Sequence, residues 1–308
     1  MHTQILVLGS GPAGFAAALY AALAGFSTTI LSGDTHGGQL TLTHRIENYP
    51  GFPAASGPDL IEVMQRQALT AGARLMDDRA VAVDLSHPPF SATTASGQVI
   101  TADSVIIAMG ASPRWLGAPG ESRFRGHGVS VCATCDGVFY RGKTVAVIGG
   151  GSSAAYEALF LAQTSHAVLL IYREAALSAE DNLVRALADT PNIQQIANTQ
   201  VLAFLGDTKL DRITVQNIQT ATETTLAIDG VFEAIGHIPN TRLFQGQLDL
   251  DSDGYLLTDC RTGATSCDGV FACGDIQAPL HRQAIIAAGA GCTAALSAKA
   301  YLKTRLKS

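Results

Sequence analysis

The chain has no second Cys-x-x-Cys. Apart from Cys132-Ala133-Thr134-Cys135-Asp136-Gly137, its thiols Cys260, Cys267, Cys273 and Cys292 are scattered, and no histidine stands beside Cys132 at zinc-finger spacing. A structural zinc site takes four ligands, usually from two such pairs, so the pattern argues against a metal centre. Basic residues are scarce too. With 20 Lys and Arg against 26 Asp and Glu the net charge is −6, and the positive footprint that nucleic acid or an anionic membrane requires is missing. The apolar stretches Ala13 to Leu23 and Ala284 to Leu296 are rich in alanine and glycine and shorter than a bilayer-crossing helix needs. The first glycine loop begins at Gly9, which leaves no room for a secretory leader. These absences predict no metal, no nucleic-acid partner and no membrane. A cytoplasmic chain is expected, with small molecules or proteins as partners, and in that reducing compartment most of the six cysteines are expected to be buried small hydrophobes.

What is present is a repeated grammar. At 308 residues and 47% hydrophobic content the chain can form two α/β domains, each with its own core. Gln4 to Leu8 is a continuous apolar run that ends in Gly9-Ser10-Gly11-Pro12-Ala13-Gly14, with an alanine-rich helical segment to about Gly25 and a second strand from Thr28 to Leu31. The same order recurs at Thr144 to Ile148, Gly149-Gly150-Gly151-Ser152-Ser153-Ala154, a helix to about Gln163, and a strand from Val168 to Tyr172. Uninterrupted apolar strands suit a parallel sheet buried on both faces. Further strands running into Gly or Pro are read at Ser104 to Gly110, within Val231 to Thr241, and at Gly269 to Asp275, which ends in Gly274-Asp275. The predicted fold is therefore α/β, with two Rossmann-like three-layer dinucleotide-binding domains, the second inserted in the first. The domains are 1–112 plus 242–308, and 113–241.

Each loop has the chemistry of a pyrophosphate cradle. Gly9 permits the tight turn, Gly11 lets backbone approach the phosphates, and Gly14 allows close helix–strand contact, while the following helix presents unpaired N–H groups. Asp34, twenty residues beyond Gly14, is read either as an acceptor for a ribose hydroxyl or as a solvated turn residue. The second loop is the variant Gly149, Gly151, Ala154, with Ser152 and Ser153 opening the helix. Its second strand ends in Tyr172-Arg173-Glu174, a mixed signal: guanidinium groups would hold the 2′-phosphate of NADPH, whereas an acid would accept from the ribose diol of NADH. Between the loops stands the Cys132/Cys135 pair, whose neighbourhood points to a thiol switch working with a flavin.

Together these segments resemble the low-molecular-weight thioredoxin reductases. The likeness rests on Gly9 to Gly14, Gly37-Gly38-Gln39-Leu40, Glu47-Asn48-Tyr49-Pro50-Gly51, Cys132 to Gly137, Gly236-His237-Ile238-Pro239-Asn240-Thr241, Gly274-Asp275 and Arg282-Gln283-Ala284. It implies FAD bound by the first loop (Gly9, Ser10, Gly11, Pro12, Ala13, Gly14), by Gly38, Gln39, Leu40 and Asn48, by the strand end at Gly110, and by Gly274, Asp275, Arg282, Gln283 and Ala284. It also implies that Cys135 faces the flavin, Cys132 attacks a thioredoxin-like protein disulfide, and Asp136 handles the proton, in a homodimer. One departure concerns the reductant. Where the family carries His-Arg-Arg-x-x-x-Arg for the NADPH phosphate, this chain has Tyr172-Arg173-Glu174-Ala175-Ala176-Leu177-Ser178. NADPH, NADH, ferredoxin and a second flavin therefore all stay open as electron sources, as does a regulatory flavoprotein without turnover.

Overall fold

Strand His2–Leu8 is apolar at every position from Ile5 to Leu8, and in the computed structural model the two faces of that stretch enter two different cores. Ile5 and Val7 join a cluster with Phe15, Ala17 and Ala18 of the following helix, whereas Leu6 and Leu8 pack with Phe90, Ile100 and Phe244 on the opposite side. Side chains alternate along a strand, so a strand covered on both faces needs an apolar residue at every step. The structure describes residues 1–43, 46–53, 55–277 and 281–305.

Two compact units result, Met1–Ser112 with Ile238–Ser308, and Pro113–His237. The second boundary falls earlier than the expected 241. Asn240 shows why: its backbone N–H donates to Gly110 O at 3.1 Å and its Nδ2 to Met109 O at 2.8 Å, and the Thr241 hydroxyl donates to Gly254 O at 2.7 Å. All these partners belong to the first unit, so residues 238–241 fold with it.

The first unit carries a seven-stranded sheet in the order Arg74–Met76, Thr28–Leu31, His2–Leu8, Val99–Ile107, Phe90–Thr94, Ala80–Asp84, with Val270–Ala272 beside the later part of Val99–Ile107. Phe90–Thr94 runs against the other strands, pairing antiparallel with both Val99–Ile107 and Ala80–Asp84. Helices Pro12–Leu23, Gly57–Thr70 and Ala284–Arg305 cover one face. The terminal helix corrects an expectation: it runs 22 residues and is long and apolar enough, by length and composition, to cross a bilayer. Its small residues have another use here. Ala288, Gly291, Ala294, Ala295 and Ala298 are buried, and a Cβ at Gly291 would stand 2.1 Å from Ala13 O, so the alanine-rich first helix lies almost in backbone contact with it. Such approach is possible only where side chains are small.

In the second unit the five strands Ile193–Ile196, Ala167–Ile171, Thr144–Ile148, Gly230–Glu233 and Val129–Ser130 form a parallel sheet in that order. Val145 and Val147 face helix Ser152–Ala162, while Ala146 and Ile148 face Phe204 and Ile213 of a three-stranded antiparallel sheet, Thr199–Gly206, Leu210–Asn217, Glu223–Ala227. Both units are thus Rossmann-like three-layer α/β folds, the second inserted in the first.

One buried acid gives the second unit a pH-dependent stability. Glu233 is 2% exposed; its Oε2 accepts from the Leu116 N–H at 3.1 Å, and its Oε1 is buried with no hydrogen-bond partner among the described residues. Burial, then the nearby Glu121 carboxylate, push the Glu233 carboxyl up to about 8, against the Leu116 N–H and Arg125. A raised carboxyl keeps a proton that the unfolded chain gives up. Stability is therefore fullest below the ordinary value of 4.5 and falls as pH rises through about 8. Glu233→Gln keeps an acceptor for Leu116 and removes the titration. Urea unfolding at pH 5 and pH 9 is expected to show the variant gaining on the parent at the higher pH, by on the order of 3 kcal/mol; parallel profiles would refute this account.

Candidate functional site

The first glycine loop separates packing from recognition. Gly9 has φ +110° and a Cβ there would lie 2.3 Å from Ala108 O, while a Cβ on Gly14 would lie 2.0 Å from Gly9 O. Those two glycines are required by the protein's own backbone. At Gly11 the nearest atom to a Cβ would be Gly37 O at 3.9 Å, so this glycine keeps space open. Ser10 ties the loop to the next segment: its hydroxyl donates to Ser32 O at 2.8 Å and accepts from the Gly37 N–H at 2.9 Å. A Cβ on Gly38 would stand 3.4 Å from Gly11 Cα, and Gln39 and Leu40 follow in a short 3-10 turn. Pro12 opens helix Pro12–Leu23 where a missing N–H costs nothing, and neither a side-chain cap nor an acidic residue occupies its first turn.

The chain's later part completes this cradle. Gly274, at φ +76°, brings its backbone to Ala13, where a Cβ would come within 2.9 Å of the Ala13 Cβ. Burial pushes the Asp275 carboxyl up, eased by the Arg282 guanidinium. Arg282 Nη2 donates to the Tyr255 hydroxyl at 2.8 Å, and its Nε is buried with no hydrogen-bond partner among the described residues. Asn48 Nδ2 donates to Gln283 Oε1 at 3.0 Å, just before helix Ala284–Arg305 begins. Gly110, at φ +63°, has nothing within 4 Å of its Cβ position. An open backbone cradle at a helix N-terminus, with a buried guanidinium nitrogen still lacking an acceptor, fits a dinucleotide such as FAD. Asp34 is not part of the cluster. Its carboxylate is 80% exposed and pairs with Arg79 Nε at 3.2 Å.

In the second unit Cys132 and Cys135 are joined as a disulfide, with Cα atoms 5.3 Å apart, at the start of the one-turn helix Ala133–Asp136. The Ser130 hydroxyl organises this turn. It accepts from the Cys132 N–H at 3.1 Å and donates to Asp136 Oδ2 at 2.6 Å, which fixes the acid beside the pair. Thr134 Oγ1 lies 3.4 Å from Cys132 Sγ. Helix Ser152–Ala162 packs close below Gly137: a Cβ there would stand 2.9 Å from Leu161 Cδ2. From that helix Glu157 reaches the redox turn. Burial pushes its carboxyl up to about 7, and the Ala133 N–H is the one donor that offsets it. The Glu157 Oε2 is buried with no hydrogen-bond partner among the described residues. Burial, then the Asp136 and Asp229 charges, raise Tyr140 to about 12.

The second glycine loop repeats the packing logic. Gly149 has φ +142° and a Cβ there would lie 2.4 Å from Ala234 O and 3.0 Å from the Ala154 Cβ, so an alanine serves where the first loop has Gly14. Gly151 precedes Ser152, Ser153 and the rest of helix Ser152–Ala162. The chain after strand Ala167–Ile171 then folds over the loop: Ser178 donates to Gly150 O from its N–H at 2.8 Å and from its hydroxyl at 3.2 Å, and the Glu180 N–H donates to Ser152 Oγ at 3.1 Å. Arg173 and Glu174 both lie exposed at the start of this segment. Sequence reasoning did not find Ser130, Glu157 or Tyr255. Ser130 alone left a signal, being two residues before Cys132.

Comparison with known proteins agrees with this geometry. The pyridine nucleotide-disulphide oxidoreductase family matches residues 3–291. A thioredoxin reductase of Rickettsia conorii is 44% identical over 304 residues, covering 97% of this chain and 98% of that protein. A bifunctional thioredoxin reductase/thioredoxin of Mycobacterium leprae is 46% identical over 97% of this chain, which spans 66% of its length. Among solved structures, a thioredoxin reductase from Giardia duodenalis superposes with a TM-score of 0.92 at 36% identity, covering 98% of this chain and 99% of that one.

Proposed function

Because the chain belongs to the pyridine nucleotide-disulphide oxidoreductase family, among its low-molecular-weight thioredoxin reductases, we propose that it is a flavin-dependent reductase of thioredoxin-like protein disulfides. The observation that carries this reading is the Cys132–Cys135 disulfide with Asp136 held beside it by Ser130. In the dithiol state, Cys132 as thiolate attacks one sulfur of the partner disulfide and forms a mixed disulfide. Cys135 then attacks the Cys132 sulfur, the partner leaves as a dithiol, and the Cys132–Cys135 bond reforms. Asp136 takes and returns the proton of the attacking thiol. Its hydrogen bond from the Ser130 hydroxyl holds it in place for this. FAD, held by Gly9 to Gly14, Gly38, Gln39, Leu40, Asn48, Gly110 and Gly274 to Asp275 with Arg282, Gln283 and Ala284, supplies the two-electron input that restores the dithiol.

Exposed apolar residues on the first unit, among them Tyr20, Leu23, Ile285 and Ile286, support a homodimer. Of the six cysteines only Cys273 is buried, contrary to the expectation of mostly buried thiols, and Cys260, Cys267, Cys273 and Cys292 being unpaired supports a reducing, cytoplasmic setting. Anaerobic photoreduction of the holoenzyme followed by mixing with oxidised thioredoxin tests the reading without any choice of donor. One dithiol is expected on thioredoxin for each two electrons stored. If the reduced enzyme keeps its electrons and thioredoxin stays oxidised, the reading fails. A second reading, a reductase fed by ferredoxin or a second flavin, is favoured by the single guanidinium in Tyr172-Arg173-Glu174, too little to clamp a 2′-phosphate. Turnover with photoreduced ferredoxin, and none with either nicotinamide nucleotide, would select it.

A further inference from the structure

We propose that the second glycine loop takes a dinucleotide with a free 2′-hydroxyl, NADH rather than NADPH, and that Glu174 is the residue that decides. The inference rests on the reading of the chain as a disulfide reductase and names its electron source. In a fold of this kind the adenosine ribose lies where the second strand ends above the glycine loop, and an acid there accepts from the diol whereas arginine accommodates a 2′-phosphate.

Tyr172-Arg173-Glu174 offered both signs of charge, and the structure separates them. Glu174 Oε2 lies 3.1 Å from where a Cβ on Gly150 would stand, with the Tyr172 Cβ at 3.5 Å. No atom of Arg173 comes within 4 Å of the Cβ position of Gly150 or of Gly151. The charge turned onto the loop is negative. Ser178, which approaches the Gly151 position to 4.0 Å, is neutral and spends both its N–H and its hydroxyl on Gly150 O. Beyond it come Glu180, tied by its N–H to Ser152, and Asp181, two more acids on the same segment.

A 2′-phosphate brings roughly two negative charges into this setting. It would meet the Glu174 carboxylate at the ribose end of the loop, where no Arg173 atom comes within 4 Å of the Gly150 or Gly151 Cβ position. A 2′-hydroxyl instead donates to Glu174. The reaction then balances as NADH, one proton and a protein disulfide giving NAD+ and two thiols: the nicotinamide loses a hydride, two electrons and one proton, the C–H bond that held it breaks, the S–S bond breaks, and two S–H bonds form with the second proton from solvent.

Equilibrium titration of the oxidised holoenzyme with NAD+ and with NADP+, followed by calorimetry, tests this without turnover. NAD+ is expected to bind at least about tenfold more tightly, a difference of about 1.4 kcal/mol. Glu174→Gln should narrow the ratio to about threefold or less, and Glu174→Arg should invert it. Glu174 is exposed, so flavin content and thermal midpoint should be those of the parent. Equal or tighter binding of NADP+, a ratio unmoved by Glu174→Arg, or no saturable binding of either nucleotide would overturn the proposal. The photoreduced enzyme keeps the two readings apart: if it still reduces thioredoxin while the nucleotide ratio fails, only the role of Glu174 falls.

Discussion

Cys132→Ser is expected to lower thioredoxin reduction by about three orders of magnitude or more while leaving flavin content and thermal midpoint unchanged. The loss is this large because the exchange has no second route. The four other cysteines belong to the first unit, and Cys273 is fully buried, its thiol pushed up to about 12 by desolvation, so it offers no thiolate at neutral pH. Both cysteines of the pair are half-buried, which makes serine a conservative replacement for packing. Cys135→Ser should abolish turnover to the same extent with a different signature. Its Cys132 can still attack, but nothing resolves the product, and a covalent adduct with thioredoxin should accumulate on non-reducing gels. An adduct with Cys132→Ser and none with Cys135→Ser would exchange the two roles. Adducts with neither would remove the pair from the exchange chemistry.

The part of this site that sequence could reveal is the part set by local rules. A tight turn after a buried strand demands glycine, and two thiols at i and i+3 can meet across one helical turn, so Gly9, Gly14, Gly149 and the cysteine pair were readable from spacing alone. Contacts made across the fold were not. Glu157 reads as an ordinary helix residue until the packing of Ser152–Ala162 under the redox turn buries its carboxyl and pushes it up to about 7. Glu233 reads as one residue within the strand that begins at Val231, and Glu121, over a hundred residues earlier, shapes its titration. Arg173 and Glu174 are adjacent, and only the path of the chain over Gly150 decides which is turned to the loop. The same holds at Asp34, whose partner Arg79 arrives from a different turn. The three-stranded antiparallel sheet of the second unit escaped notice because its strands Thr199–Gly206 and Leu210–Asn217 mix polar and apolar residues without a turn motif of strong type between them.

Gly11→Ala and Gly14→Ala, three residues apart, are expected to fail for opposite reasons. At Gly14 the added Cβ would lie 2.0 Å from Gly9 O and 2.8 Å from Gly9 C, so the helix must move away from the strand that feeds it. Backbone cannot yield as the end of a long side chain can, and overpacking of this kind costs about 1 to 3 kcal/mol or more. Gly14→Ala should therefore lower the unfolding midpoint of the flavin-free protein as well as its flavin content. At Gly11 the Cβ meets only Gly37 O at 3.9 Å, and the residue's φ of −71° and ψ of −176° suit alanine. The flavin-free Gly11→Ala protein should unfold at the parent's midpoint, within about 0.5 kcal/mol. Its methyl group, however, would stand where the backbone is bared for a pyrophosphate, and FAD affinity should fall about 100-fold or more, read by flavin absorbance retained after gel filtration. A Gly11→Ala protein that keeps full flavin would show that the open space at this glycine is not where the dinucleotide lies. A Gly14→Ala protein as stable as its parent would show that the loop can shift without loss, contrary to the contact with Gly9. The two variants together separate what the first glycine loop does for the fold from what it does for the cofactor, because one glycine faces protein and the other faces open space.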